Sequence, residues 1–405
     1  MLIPNHYKKS EPKFVGPRLK AESGPIGITP DTEVLAKTGW IRVDQIADHK
    51  DELLTLNAKQ MALVYETPVF VAIEDFSGNL VHFSTQRIDA LVTAAQPLLV
   101  FNRLASGEVI QPRKHRTAAD VTRWHLVPYK KFAYIDGEPV SRSAYILPEY
   151  REGSANSDNE LYLPKRMIPY GVWLEFLGYW IANGSYKIIK SKEGLVLRIT
   201  NMEEHQYALD LFSRMGFKVN SPDDNSVSLR EYAHGRVMIY SKQIYEELSK
   251  IFPGDEKRIP RWILNMSVDW LKKFYAGLMR GTGYIELNRS NSQRLTFTSI
   301  YLPYLYDVLE LILKVHGVIP RIIEINSKRE SSKDGIMTFF RIGVSVNDMN
   351  RYVTYGEKTE LEYEGKVCQL YFDTKEPVFF LARRNRKCYW LGGSYCVDPS
   401  LPLYS

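Results

Sequence analysis

Cysteine is scarce in this chain, with only Cys368, Cys388 and Cys396 among 405 residues. Three thiols gathered near the end exclude a disulfide framework, and a reducing compartment is the simplest expectation. No run of about 18 apolar residues occurs, so no helical membrane span is predicted. Residues 1–20 are polar and basic and lack the apolar stretch of a signal peptide. Neither sign of charge dominates: 53 Lys and Arg face 47 Asp and Glu, for a net charge of +6. That balance permits a nucleic-acid partner without demanding one. The eight histidines, among them His115, His125, His205 and His234, show no ligand spacing, and no CxxC pair is present. With 44% hydrophobic and 25% charged residues, the composition excludes a wholly disordered, collagenous or coiled-coil chain. The length suits two or three domains.

Proline and glycine punctuate residues 1–26, which read as an extended arm. From Thr32 to Ile146 short apolar runs alternate with polar turns. Glu33-Val34-Leu35-Ala36 precedes the turn Lys37-Thr38-Gly39. Val69-Phe70-Val71-Ala72-Ile73 precedes Ser77-Gly78-Asn79, which reads as another turn. The spacing predicts an all-β unit over 27–150. Residues 151–160 hold almost no apolar side chain, and a linker is expected at 151–165. The period then becomes helical: Val172, Leu174, Leu177 and Ile181; Ala208, Leu209, Phe212 and Met215 before Gly216; Val268, Leu271, Phe274 and Leu278; Leu302, Leu305, Leu309 and Ile312 before Gly317.

Residues 171–326 contain an internal repeat with an offset of about 100 residues. Leu177-Gly178-Tyr179-Trp180-Ile181-Ala182-Asn183-Gly184 matches the stretch Tyr275 to Gly283, with Asn183 opposite Thr282. Ile199-Thr200-Asn201 matches Phe297-Thr298-Ser299, and Gly216 matches Gly317. Two copies at this period predict a pseudo-twofold domain with halves at 171–265 and 266–326. Gly178, Ala182, Ala276 and Gly277 are small enough to let two helices approach closely at the axis.

These stretches, with the approach Lys257-Arg258-Ile259-Pro260-Arg261-Trp262-Ile263, resemble the LAGLIDADG homing endonucleases carried by inteins. The resemblance implies two αββαββ halves over 166–330, forming a β-saddle that lies on double-stranded DNA. Each motif helix of that family ends in an acid, and the two acids bind divalent metal for cleavage. Here Asn183 and Thr282 stand at those positions, and Arg280 replaces a second acid. Phosphodiester hydrolysis needs Mg²⁺ to activate water, and Mg²⁺ usually takes at least one protein carboxylate. Neutral oxygens at Asn183 and Thr282, with Arg280 nearby, predict loss of cutting. No cofactor is expected, and Mg²⁺ only if cutting survives. Removing two facing carboxylates also removes their repulsion, so the helix pair is expected to be more stable than an active ancestor. Lys187, Lys190, Lys192, Arg198, Arg289 and Arg294 follow the motif helices, where the family touches phosphates.

The flanks, 27–150 and 331–393, resemble a Hint (intein splicing) domain split by that insertion. Gly27-Ile28-Thr29-Pro30, Asp89 to Val100, Gly365 to Leu370 and Val378 to Asn385 carry this likeness. An intein opens with Cys or Ser, whose sulfur or oxygen attacks the preceding carbonyl. Gly27 holds that place. Thr93 keeps the Thr of a Thr-x-x-His element, but Gln96 replaces its His and does not titrate near neutral pH. Gly392-Gly393-Ser394 stands where His-Asn would precede a nucleophile, so Gly393 cannot cyclise. Self-splicing is not expected, and the segments 1–26 and 394–405 should stay attached.

The expected fold class is therefore α+β, an all-β Hint-like domain interrupted by a pseudo-twofold αββαββ domain. Three functions remain open: a DNA-binding remnant that neither cuts nor splices, a structural component of a phage particle or other assembly that uses 1–26 and 394–405, and a nuclease with shifted ligands. The resemblance places such a chain in a microbial cytoplasm or a virion. The basic run Arg383-Arg384-Asn385-Arg386-Lys387 reads as an exposed turn.

Overall fold

The computed structural model describes residues 25–57, 60–85, 87–103, 109–110, 116–121, 125–127, 132–152, 161–189, 192–198, 202–219, 226–232, 236–254, 257–281, 284–287, 293–328, 336–345, 353–354, 358–374 and 378–395. It is a sheet-rich α+β protein with six α-helices among these residues. The chain divides into two compact units, Met1–Tyr129 with Asn350–Ser405, and Lys130–Met349.

The first unit is built from strands that interleave the two ends of the sequence. One sheet runs in the order Arg116–Thr117, Pro97–Leu98, Lys387–Gly392, Phe379–Arg384, Glu33–Ala36, Leu53–Asn57, Ala62–Glu66. Glu33–Ala36 turns back on Gly39–Arg42, and Gly39 takes the turn at φ +127°, where a β-carbon would be strained. A second sheet pairs Phe70–Ser84 with Lys358–Phe372 from Phe70 opposite Tyr371 to Phe83 opposite Lys358. That ladder corrects the expected turn at Ser77-Gly78-Asn79: Ser77 faces Glu364, Gly78 faces Tyr363 and Asn79 faces Glu362 within one unbroken strand. Local turn chemistry yields here to a partner strand from the far end of the sequence, which pairs through all three residues. The core gathers Ile28, Val34, Leu53, Phe83, Val92, Leu98, Cys368, Phe372, Phe380 and Tyr389.

The run Arg383–Lys387 is not a free basic turn. Arg383 is buried, donates to Glu33 and stacks over Trp40 at 4.2 Å. Arg384 pairs with Asp31 at 2.8 Å and with Asp89 at 2.5 Å, and Asn385 donates to Asp89 at 3.0 Å. Burial opposes ionisation of Asp89, but Asn385, His82 and Arg384 together hold its carboxyl below the usual range.

In the second unit α1 spans Tyr170–Asn183, α2 Met202–Arg214, α3 Lys242–Ile251, α4 Arg261–Leu264, α5 Val268–Gly281 and α6 Leu302–His316. The repeat is visible in the strand order. After α1 the sheet runs Gly184–Ile189, Lys192–Arg198, Arg236–Tyr240, Ser226–Tyr232, with Lys218–Val219 added at the edge. After α5 it runs Tyr284–Leu287, Gln293–Ser299, Ile336–Ser345, Arg321–Lys328. The two orders are the same. Gly216 and Gly317 both close their helices in the left-handed region, at φ +82° and +63°.

The unit boundaries fall at 129/130 and 349/350, whereas the sequence reading placed domain limits at 150 and 330. Tyr150–Glu152 pairs with Leu161–Leu163 across residues 153–160. Ile336–Ser345 pairs with both Gln293–Ser299 and Arg321–Lys328, so the second half extends to Ser345. Residues 153–160, like residues 329–335, thus stand between two strands that pair with each other.

α1 and α5 meet backbone to backbone. A β-carbon on Gly178 would fall on the carbonyl oxygen of Phe274, and one on Gly277 would fall on the carbonyl oxygen of Glu175. The contacts are reciprocal: Gly178 also abuts Leu278, and Gly277 abuts Tyr179. The equivalent residues of the two contacts, Gly178 and Gly277, Glu175 and Phe274, Tyr179 and Leu278, are each 99 positions apart, as a twofold axis between the helices requires. α1 is buried from Phe176 to Ile181 because helix and sheets surround it. Gly178→Ala or Gly277→Ala is expected to destabilise the protein by about 2–3 kcal/mol through overpacking. Gly171→Ala, whose β-carbon would meet only ordinary contacts at 3.6–3.7 Å, should instead be neutral or stabilising by up to about 1 kcal/mol. Urea denaturation of the three variants measures the contrast.

Candidate functional site

The C-terminal ends of α1 and α5 converge on the axis. A β-carbon on Gly281 would overlap that of Ala182 and lie 3.4 Å from both Cγ and Nδ2 of Asn183. Asn183 therefore stands beside the axis, with its carboxamide against the end of the opposite helix. Burial pushes the nearby Tyr179 phenol up to about 12, against the influence of the Asn183 side chain. Thr282 lies outside the described residues. Arg280 is turned to α2: it donates to Glu203 at 2.9 Å and its guanidinium lies 5.3 Å from the centre of the Tyr207 ring. The expected opposition of Arg280 to a cation at the axis gives way to this pairing.

The neighbouring acids are committed elsewhere. Glu175 receives two hydrogen bonds from Arg214, both 2.9 Å, and one from Tyr207 at 2.7 Å. Burial acts against its charge, but the Arg214 and Tyr207 bonds hold its pKa below the usual value. Asp269 sits in the first turn of α5, beside Lys272 at 3.6 Å. Among the described residues no three of His, Cys, Asp and Glu group so as to hold a metal ion. Mg²⁺ favours charged oxygen ligands, so the neutral amide of Asn183 does not suit it.

Backbone register sorts the sheet positions. In the first half Lys187 lies opposite Gly194, Arg198 opposite Arg236, and Arg230 opposite Met238. With a period of two, Lys187, Lys192, Arg198, Arg230 and Arg236 share one side of the sheet. Leu195, Leu197, Val237, Ile239 and Leu229 share the other. In the second half Arg294 faces Glu286 and Ser345, and shares a side with Arg321 and Arg341. The opposite side holds the buried Leu295, Phe297, Ile322 and Ile342. Lys190 and Arg289 lie outside the described residues. Arg230, Arg236, Arg321 and Arg341 escaped the sequence reading. The alternation Val227, Leu229 against Ser228, Arg230 was the available signal.

A second cluster lies in the first unit. Gly27 donates its N–H to Thr93 Oγ1 at 2.9 Å and accepts from the Thr93 N–H at 2.9 Å. Thr93 begins a turn in which the Gln96 N–H donates to the Thr93 carbonyl at 3.1 Å. Gln96 Nε2 then donates to the Gly392 carbonyl at 2.6 Å and the Pro97 carbonyl at 3.2 Å. The Gly393 N–H donates to the Val378 carbonyl at 2.9 Å, and Gln369 bonds the hydroxyl of Ser394. Gly27, Gln96 and Gly393, far apart in sequence, thus gather around one turn. All three are buried, and none supplies a nucleophile or a proton-transfer group near neutral pH. Cys368 shares backbone hydrogen bonds with Ile28, but burial pushes its thiol up to about 11 and keeps it protonated.

No family model matches the chain. Over 290 residues it is 24% identical to a DNA-directed RNA polymerase subunit beta C-terminal section of Stigeoclonium helveticum, covering 69% of this chain and 26% of that protein. Over 276 residues it is 24% identical to an ATP-dependent Clp protease proteolytic subunit of Chlamydomonas moewusii, covering 64% of this chain and 25% of that protein. The chain thus spans about a quarter of the length of the curated relatives it matches. Similar solved structures include the N-terminal LAGLIDADG domain of WhiA, at a TM-score of 0.28 and 15% identity, covering 44% of this chain and 76% of that one. The homing endonuclease I-WcaI bound to its DNA recognition sequence gives 0.28 and 11%, covering 45% and 78%. The AceL NrdHF class 3 split intein gives 0.21 and 13%, covering 53% and 98%.

The Glu175 cluster has a pH signature. Its carboxyl has a folded pKa below the ordinary 4.5, so its contribution to stability is full above that pH and is lost as pH falls below it. Glu175→Gln is expected to lower stability at pH 7 and to flatten this acid limb, as thermal melts across pH 3–7 would measure.

Proposed function

We propose that this chain is a DNA-binding protein descended from an intein-borne LAGLIDADG homing endonuclease, and that it neither cuts nor splices. The reciprocal crossing of Gly178 and Gly277, with the same strand order on both sides, carries the reading. By backbone register each of the two sheets groups basic positions on one side, opposite the positions of Leu195 and Leu197 in the first half and of the buried Leu295 and Phe297 in the second. A duplex has approximate twofold symmetry and a charge every few ångströms, so paired basic sheets suit it. Lys187, Lys190, Lys192, Arg198, Arg289 and Arg294 are proposed to contact phosphates, joined by Arg230 and Arg236.

The amide of Asn183 at the axis supports loss of cutting, because it brings no charge to a metal-activated water. Gly27, Gln96 and Gly393 support loss of splicing. The two curated relatives carry names with no shared chemistry, and each aligns with this chain over about a quarter of its length. Similar stretches in unrelated hosts are what an inserted element would leave.

Binding of long duplex DNA is expected to weaken steeply with salt, with a logarithmic slope on the order of −7 for eight phosphate contacts. Each substitution Lys187→Ala, Lys192→Ala or Arg198→Ala should reduce that slope by about 1. Gel shifts across a salt series measure both, and salt-independent or absent binding would overturn the reading. Incubated with Mg²⁺ or Mn²⁺, plasmid should stay uncut by the protein, and linear product would show that cutting survives. In the double variant Asn183→Asp with Thr282→Asp, two facing carboxylates should lower the melting temperature, and added divalent metal should restore it.

A further inference from the structure

We propose that the former splicing centre of the first unit is packed shut, with Val367 as the plug over Gly27, so that its glycines are now required by the fold. The interpretation of these positions as a former reaction centre rests on the descent proposed above. The packing stands independently of it.

Three glycines line the centre, and each faces a neighbour that occupies the space of a side chain. A β-carbon on Gly27 would lie 2.8 Å from Val367 Cβ and 2.9 Å from its Cγ2. One on Gly392 would lie 2.7 Å from Pro97 Cβ, and one on Gly393 would lie 2.6 Å from Phe372 Cε2. None of these glycines is held at positive φ, so backbone freedom does not account for them. Nor can the neighbours yield easily. Val367 is 3% exposed and is fixed in the ladder opposite Glu74, and Phe372 is 1% exposed. The Val367 contact involves Cβ itself, which moves only with the backbone. Meanwhile the polar groups of the centre are spent on one another: Gly27 with Thr93, Gln96 with Gly392, Ser394 with Gln369. The Gln96–Gly392 bond ties segments from both ends of the sequence together. A reaction centre needs room for a nucleophile and a carbonyl to approach. This one has become a clasp.

Gly27→Ala is expected to lower the melting temperature by about 4 °C or more. In a Val367→Gly background the same substitution should cost less than half as much, since removing the β-carbon together with its two methyl groups opens the space. Melting curves of the wild type, both single variants and the double variant give the coupling. Wild-type melting of Gly27→Ala, or an unchanged cost in the Val367→Gly background, would overturn the plug. If Gly27→Ala fails to fold, Gly27→Ala with Val367→Gly is expected to fold, and failure of both would overturn it too. The triple variant Gly27→Cys, Gln96→His, Gly393→Asn should remain a single full-length band on electrophoresis. A shorter ligated product from it would overturn the plug while upholding the descent. Absent DNA binding with strong coupling between positions 27 and 367 would do the reverse.

Discussion

The close crossing of α1 and α5, with Gly178 against the backbone of Phe274 and Gly277 against that of Glu175, sets the geometry of the whole second unit. Two helices crossing through glycine approach more closely than any side chain at those positions would allow. Each glycine weakens its helix by about 1 kcal/mol relative to alanine. Burial of Trp173, Phe176, Leu177, Phe274 and Leu278 around the crossing outweighs that penalty, at about 1.5–3 kcal/mol for each large apolar side chain. Because the contacts are reciprocal, the helix ends must meet at the axis and the following strands must leave it in opposite senses. The placement of Asn183, and of the basic positions on both sheets, follows from that crossing.

Charge in the second unit is arranged in two ways. The buried acids of its interior are neutralised locally. Asp307 accepts from Arg258 at 2.6 and 2.8 Å, and Glu310 accepts from Arg261 at 2.6 and 2.9 Å and from Lys314 at 2.7 Å. Such pairs offset the desolvation of their own charges and contribute little net stability. What they fix is position. The approach residues Arg258 and Arg261 are fastened to α6 through these carboxylates. The arginines and lysines of the sheets are placed by backbone register on one side of their strands, and the proposed interface rests on that placement.

The repeat was legible in the sequence because both of its markers are physical necessities. Close helix approach demands small residues at Gly178 and Gly277, and a left-handed helix stop favours glycine at Gly216 and Gly317. The domain limits were not legible, because a polar stretch looks the same between paired strands as between domains. Ser77-Gly78-Asn79 misled for a related reason: its partner strand lies nearly 290 residues away, and no local pattern announces it. Arg383 and Arg384 were misjudged because composition does not reveal an acid such as Glu33 or Asp89 waiting on a distant strand. The gathering of Gly27, Gln96 and Gly393 came from family resemblance. Spacing alone would never have joined residues separated by up to 366 positions.

Under the proposed descent, the two units would share a way of changing. At the helix ends the Asn183 carboxamide, which brings no charge, lies against Gly281. In the first unit Gly27, Gln96 and Gly393 bring no nucleophile or titrating group, and Val367, Pro97 and Phe372 lie where side chains on Gly27, Gly392 and Gly393 would stand. Active sites hold polar groups in strained or unpaired states, so replacing them releases stability. Once neighbours occupy that space, the reverse substitution meets overpacking in place of an empty pocket. On that descent, the barrier to regaining chemistry rises after the chemistry is lost, and a backbone that began as a support for reacting groups persists through packing that depends on their absence.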